Sequence, residues 1–159
     1  MEKVYVGKIV NTFGIKGELK IASSFEMPER VFKKGQQILI GETTHVITGL
    51  REHKNHYLTQ IDDLDNINLV LIYKGQSVFV ERSLLNLTET EYLMDDLINL
   101  ELYENNELIG IVTEVINDKV NPLIKINKQF YIPLKANYII KVLLNEKKIV
   151  AQNIKGLML

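Results

Sequence analysis

Cysteine is absent from the 159 residues. That excludes disulfides, thiol catalysis and cysteine-ligated zinc together. A small chain without covalent staples fits a reducing cytosol. Long apolar runs are missing too. The longest, such as Leu69 to Tyr73, fall far short of the roughly 20 residues a membrane-spanning helix needs. Met1 to Val10 is short, alternating and charged, unlike the continuous apolar stretch of a signal peptide. Neither sign of charge is in excess: 19 Lys and Arg face 20 Asp and Glu, a net charge of −1. The first 83 residues carry 11 basic and 10 acidic groups, the rest 8 and 10. Neither half is a basic clamp, so an RNA partner must be met by local patches.

Catalytic constellations are also scarce. His53 and His56 lie three apart and would suit a shared metal, but they fall in a segment that reads as a hairpin turn with no third ligand at a defined spacing. Asp62, Asp63 and Asp65 precede a candidate helix, where acidic residues favour the positive end of the helix dipole. They lack the glycine and terminal glutamate of a calcium loop. Asp95-Asp96 are adjacent, a spacing that sends two strand side chains to opposite faces rather than into one acid–base pair. Ser23, Ser24, Ser77 and Ser83 have no nucleophile elbow. The sequence therefore predicts no catalytic residue, no metal and no cofactor.

What the chain does have is alternation of period two. Val4 to Ile9 reads as a strand, Asn11 to Gly14 as a turn, and Gly17 to Ile21 as the returning strand. Further strands are expected at Gln36–Ile40, His45–Arg51, Tyr57–Ile61 and Gln76–Glu81. One short helix is expected between Asp65 and Gly75. Asp65 would cap it, Leu64 and Leu69 would staple it, and Gly75 would stop it. Between Glu81 and Glu104 stand seven acidic residues and one basic residue. The domain boundary is placed there: a first domain over 1–83, a linker over 84–91 and a second domain over 92–159. The second half resumes with strands at Asn99–Tyr103, Leu108–Ile116, Leu123–Ile126, Phe130–Ile132, Ile139–Leu144 and Lys148–Gln152. Asn105-Asn106 and Asn145-Glu146 read as tight turns, because Asn tolerates positive φ. Many short strands at this spacing predict an all-β chain of small barrels.

Gly14-Ile15-Lys16-Gly17 offers backbone N–H groups and a cation, which can cradle a phosphate. It lacks the spacing of a P-loop and reads first as a turn. Lys8, Lys16 and Lys20 make a modest basic surface around it. Phe13, Tyr57, Tyr92 and Tyr138 are the aromatics that a base could stack on, though most aromatics in such a chain are core.

Val6 to Ile21, containing Phe13-Gly14-Ile15-Lys16-Gly17-Glu18, resembles the opening of RimM proteins. Arg51-Glu52-His53-Lys54 resembles that family's Arg-x-His-Lys stretch, and Asp65 to Val80 its helix and last first-domain strand. Tyr92 to Leu102, Leu108-Ile109-Gly110, Tyr131-Ile132-Pro133 and Gly156-Leu157-Met158 resemble a PRC barrel. The set is collinear over nearly the whole chain. Departures occur at Phe13 (usually His), Leu93 (a second Tyr), Asn99 (Gly), Leu71 (often Glu) and the interrupted Arg30-Val31-Phe32. The resemblance implies two small β-barrel domains with a short linker. It implies a cytoplasmic, monomeric, non-catalytic ribosome maturation factor. Such a factor binds the head of the immature small subunit, through a head ribosomal protein and nearby rRNA, and promotes rRNA processing. It places Tyr92, Leu93 and Asp96 at the protein contact. Lys8, Lys16, Lys20, Arg51 and Lys54 are the rRNA-contact candidates, and Gly14, Gly17 and Pro133 are structural turn residues. The competing reading is a PRC-barrel adaptor on a non-ribosomal complex, which the first-domain resemblance disfavours.

Overall fold

A computed structural model of the chain describes residues 2–159. It divides into two compact units, the first ending at Asn86 and the second starting at Leu87. Both are built of short strands.

In the first unit six strands close into a barrel: β1 (Lys3–Phe13), β2 (Glu18–Ala22), β3 (Gln37–Ile40), β4 (Thr43–His53), β5 (His56–Ile61) and β6 (Ser77–Glu81). Their hydrogen-bonded order is β1-β2-β5-β4-β3-β6, and β6 pairs back onto β1. Alternation turns one side of each strand inward. Every strand contributes to the buried core, through Ile9, Leu19, Ile21, Ile38, Ile40, Ile47, Ile61, Val78 and Val80. These β-branched and leucine side chains suit a pleated, enclosed surface. Bulges in β1 and β4 interrupt the register and let these long strands bend around the barrel.

Two local expectations are corrected here. Asn11 to Gly14 is not all turn. The bulge between Ile9 and Asn11 lets pairing resume, so Thr12 meets Leu19 and Phe13 meets Glu18 before the chain turns at Gly14. The helix α1 is only Ile67–Val70, followed by a 3₁₀ turn over Leu71–Tyr73. Its cap is Asn66, whose side chain accepts from Asn68 N at 2.8 Å. Asp65 therefore lies outside the helix, and the Leu64–Leu69 staple loses its spacing.

The second unit holds β7 (Glu101–Glu104), β8 (Glu107–Ile116), β9 (Leu123–Ile126), β10 (Phe130–Pro133), β11 (Ile139–Leu143) and β12 (Lys148–Ala151). They form one sheet in the order β10-β9-β8-β7-β12-β11. β12 runs parallel to β7, and the other neighbours are antiparallel. Leu97, Leu102, Val112, Ile124, Ile126, Ile132, Ile149 and Ile154 form its core. Asn105 and Asn106 have φ of 51° and 64° and join Glu104 to Glu107 in a two-residue hairpin, as their tolerance of that region predicts. Before β12 the expected Asn145-Glu146 turn is a 3₁₀ turn over Leu144–Glu146, and the positive φ falls on Lys147. Pro133 is the last residue of β10 rather than a turn residue. On a strand at the end of the sheet, its missing N–H leaves no ladder bond unmade.

Candidate functional site

Residues paired across neighbouring strands point to the same face. Lys20 of β2 and Arg51 of β4 both pair with Leu58 of β5, whose own side chain is fully buried. Lys20 also pairs with Asn11, and Glu18 with Phe13. Since Leu19 and Ile21 fill the core, the alternating positions Glu18 and Lys20 face outward. The β1–β2 pairing thus sets Phe13, Glu18 and Lys20 on one outer strip, and the hydrogen bonds between Glu18 and Arg51 bring Arg51 to it.

Within that strip Arg51 is clamped. Its Nε donates to Glu18 Oε2 at 3.0 Å and its Nη2 to Glu18 Oε1 at 2.8 Å. Two parallel bonds of this kind fix a guanidinium in orientation as well as position. The same guanidinium lies over the Phe13 ring, 5.5 Å from its centroid. The Phe13 ring in turn meets the His53 ring at 5.1 Å, tilted by 56°. Arg51's hydrogen bond holds the Glu18 carboxyl below its ordinary range, against the opposing effect of partial burial.

The two loops beside the strip carry the remaining cations. Gly14 and Gly17 have φ of +74° and +76°, and Gly17 N donates to Gly14 O at 3.2 Å. A Cβ on Gly17 would stand 2.9 Å from the Asn66 carbonyl carbon and oxygen, so only glycine fits there. Ile67 N donates to Ile15 O at 3.0 Å, which ties the loop to the start of α1. Lys16 is left exposed at its tip. Lys54 and Asn55, with φ of 48° and 65°, form the two-residue turn between His53 and His56. His56 Nδ1 lies 2.9 Å from Lys54 O, which makes that nitrogen the protonated one. Lys8 is exposed and pairs with Ala22 and Ser77, on the strip but farther from these loops.

In the second unit Tyr92 is half-buried against the core, and that burial pushes its phenol up from the ordinary value. Leu93 is only 4% exposed. Its side chain belongs to the buried core, which leaves it little surface for the protein contact expected of it. It enters the 3₁₀ turn Met94–Leu97, whose Met94 and Leu97 are also buried. Asp96 Oδ2 accepts from Leu93 N at 2.8 Å, so this carboxylate ties the turn's entry in the manner of a capping box.

Residues 4–85, the barrel and its strip, match the RimM N-terminal domain. Over nearly its full length the chain is similar to proteins called ribosome maturation factor RimM. That of Oenococcus oeni is 32% identical over 163 residues, covering 99% of this chain and 98% of its own. That of Staphylococcus haemolyticus is 30% identical over 165 residues, covering 98% and 99%. This chain belongs to the RimM family. A solved structure of the N-terminal domain of RimM from Thermus thermophilus matches 52% of this chain and 93% of that one. Its TM-score is 0.45 at 15% identity, too weak a likeness to add to the sequence matches.

Two departures from the RimM pattern acquire a physical reading. Phe13 keeps a flat ring at the point where Arg51 and His53 converge. Asn99 has φ of 71° and its N donates to Val112 O at 2.8 Å. The position thus demands the left-handed conformation that Asn adopts more readily than most side chains. Sequence reasoning missed the Glu18 clamp and the His53–Phe13 contact, which join residues far apart in the chain and leave no local signal. It also missed the capping use of Asp96, whose signal was present as an acidic residue three positions after the residue that enters the turn.

Proposed function

We propose that this protein is a non-catalytic ribosome maturation factor that binds the head of the immature small ribosomal subunit, through a head ribosomal protein and nearby rRNA. The observation that carries this reading is the end-to-end similarity to relatives of that name, at 32% identity over 99% of the chain. Binding a near-native head more tightly than an unfinished one shifts the head's population by the difference in affinity. Such a role needs no cofactor.

The outer strip of the first unit supports the rRNA half of the reading. Lys16, Lys20, Arg51 and Lys54 stand on or beside it, with Lys8 farther along, and phosphate contacts from such residues fix position without reading sequence. For the ribosomal protein the candidate is Tyr92, an aromatic with one side on the core and the other accessible, a common form of interface anchor. Asp96 supports that contact by holding the turn behind it.

Co-sedimentation with immature small subunits, mature small subunits and large subunits, at two salt concentrations, tests the reading. Preferential pelleting with the immature particles is expected, with a steep loss at the higher salt from phosphate contacts. Folded protein that pellets with no ribosomal particle would sink it. Tyr92→Ala is expected to weaken pelleting while the second unit stays folded.

A further inference from the structure

We infer that the Phe13–His53 pair and the clamped Arg51 form a subsite for one unpaired RNA nucleotide, the base stacking on the rings and the phosphate meeting the open edge of the guanidinium. This rests on the reading that the chain contacts rRNA, and it names where and how a single nucleotide is held. Glu18 occupies Nε and Nη2 of Arg51. Among the described residues, no hydrogen bond from the other terminal nitrogen, Nη1, to the protein is found. The Arg51 side chain is 54% exposed, and the clamp holds the two N–H donors of Nη1 in a fixed plane. Arginine recognises phosphate through just such a fork.

The rings supply the second half. Phe13 and His53 are each half-buried and lean on one another at 5.1 Å. Rings held this way lose little freedom when a base stacks on them. A stacked base must be unpaired, because bases inside a duplex show only their edges. Residues 11–20 and 51–57 together hold four cations, Lys16, Lys20, Arg51 and Lys54, against two carboxylates, Glu18 and Glu52. The pairing of Glu18 with Arg51 removes one charge of each sign, and the three lysines left against Glu52 favour a polyanion. The alternative is that Phe13, Arg51 and Glu18 are only a strut between two loops. A strut predicts no response from a bound base.

The test uses the full chain and a short single-stranded oligouridylate carrying one central 2-aminopurine, whose fluorescence falls when the base stacks. The intact protein is expected to quench it. Phe13→Leu, which keeps apolar bulk and loses the π face, is expected to abolish the quench and weaken binding about tenfold. Phe13→Tyr is expected to restore both. Lys16→Ala and Lys54→Ala are expected to leave the quench and lower the salt slope by about one each. The same sequence as a duplex, or a polyglutamate peptide, is expected to bind no better to wild type than to Phe13→Leu. Absence of quenching by the wild type, or equal quenching by Phe13→Leu, overturns the subsite. Immature subunits that still pellet with the protein in that event leave the maturation role standing, so the two failures are separable.

Discussion

The first unit's barrel pairs β6 back onto β1, whereas the second unit's six strands run from β10 to β11 and, among the described residues, do not return. Closure leaves the barrel no unpaired strand edge, so its outer surface is free for long charged side chains in cross-strand rows. The Glu18–Arg51 clamp lies on that surface. The second unit has two edges to guard. β10 is four residues long and ends in Pro133, and β11 shows Lys141 to solvent; a short strand, a proline and a lysine all discourage edge-to-edge pairing. The balance of charge differs as well. The first unit carries 11 basic and 10 acidic residues, and the second 8 and 10. All five rRNA-contact candidates lie in the first unit. In the proposed role the cationic strip on the closed scaffold would meet a polyanion, and the half-buried Tyr92, just ahead of the 3₁₀ turn that leads into the second unit's sheet, would meet a protein surface.

The contrast can be strained most by removing core. Leu102 is fully buried at the centre of the sheet. Leu102→Ala is expected to cost about 2–5 kcal/mol, read as loss of amide-exchange protection in β7, β8 and β12. Retained protection there would show that the sheet does not depend on this core.

Next comes the barrel's tight turn. Gly17→Ala meets both a left-handed backbone, costing about 1–3 kcal/mol, and the Asn66 carbonyl at 2.9 Å. Gly14→Ala has open space around it and is expected to cost less. Denaturant melts of the two variants should rank in that order; equal costs would mean that the approach of Asn66 is unimportant.

A gain is expected at Thr59. Its hydroxyl is buried with no hydrogen-bond partner, and its register with Leu19 puts it on the core face. Thr59→Val is expected to stabilise the barrel by about 1 kcal/mol, because it removes an unsatisfied polar atom at nearly constant shape. A destabilised variant would reveal that the hydroxyl is satisfied in solution.

The smallest effect concerns pH. Glu18 titrates below its ordinary value of 4.5 when folded. The stability it contributes is therefore present above that value and lost as pH falls through the folded one. Glu18→Gln is expected to flatten the acid limb of a stability–pH curve, and an unchanged limb would remove the clamp from the account.

Much of this was legible in the residues. Alternation located nearly every strand, because the pleat's period is fixed by backbone geometry whatever surrounds it. Asn105-Asn106 announced its hairpin through φ preference alone. The helix was legible in place but not in length. Asn66 outcompeted Asp65 as cap, and only Val70 of α1 is buried, so packing supports a single turn. The basic candidates were legible as residue types. Their grouping was not, since the bulge at Ile9/Asn11 and the pairing of β2 with β5 decide which of them share a face.

Composition and periodicity, acting through local backbone preference, thus determined an all-β chain without cysteine chemistry, with most of its turns in the right places and its acidic segment between two halves. Only the tertiary structure decided that one half closes and the other keeps its edges, that Leu93 is core, and that Glu18 holds Arg51 against Phe13 and His53. Those are contacts between residues far apart in sequence, fixed by register and by burial, and neither quantity exists until the strands have paired.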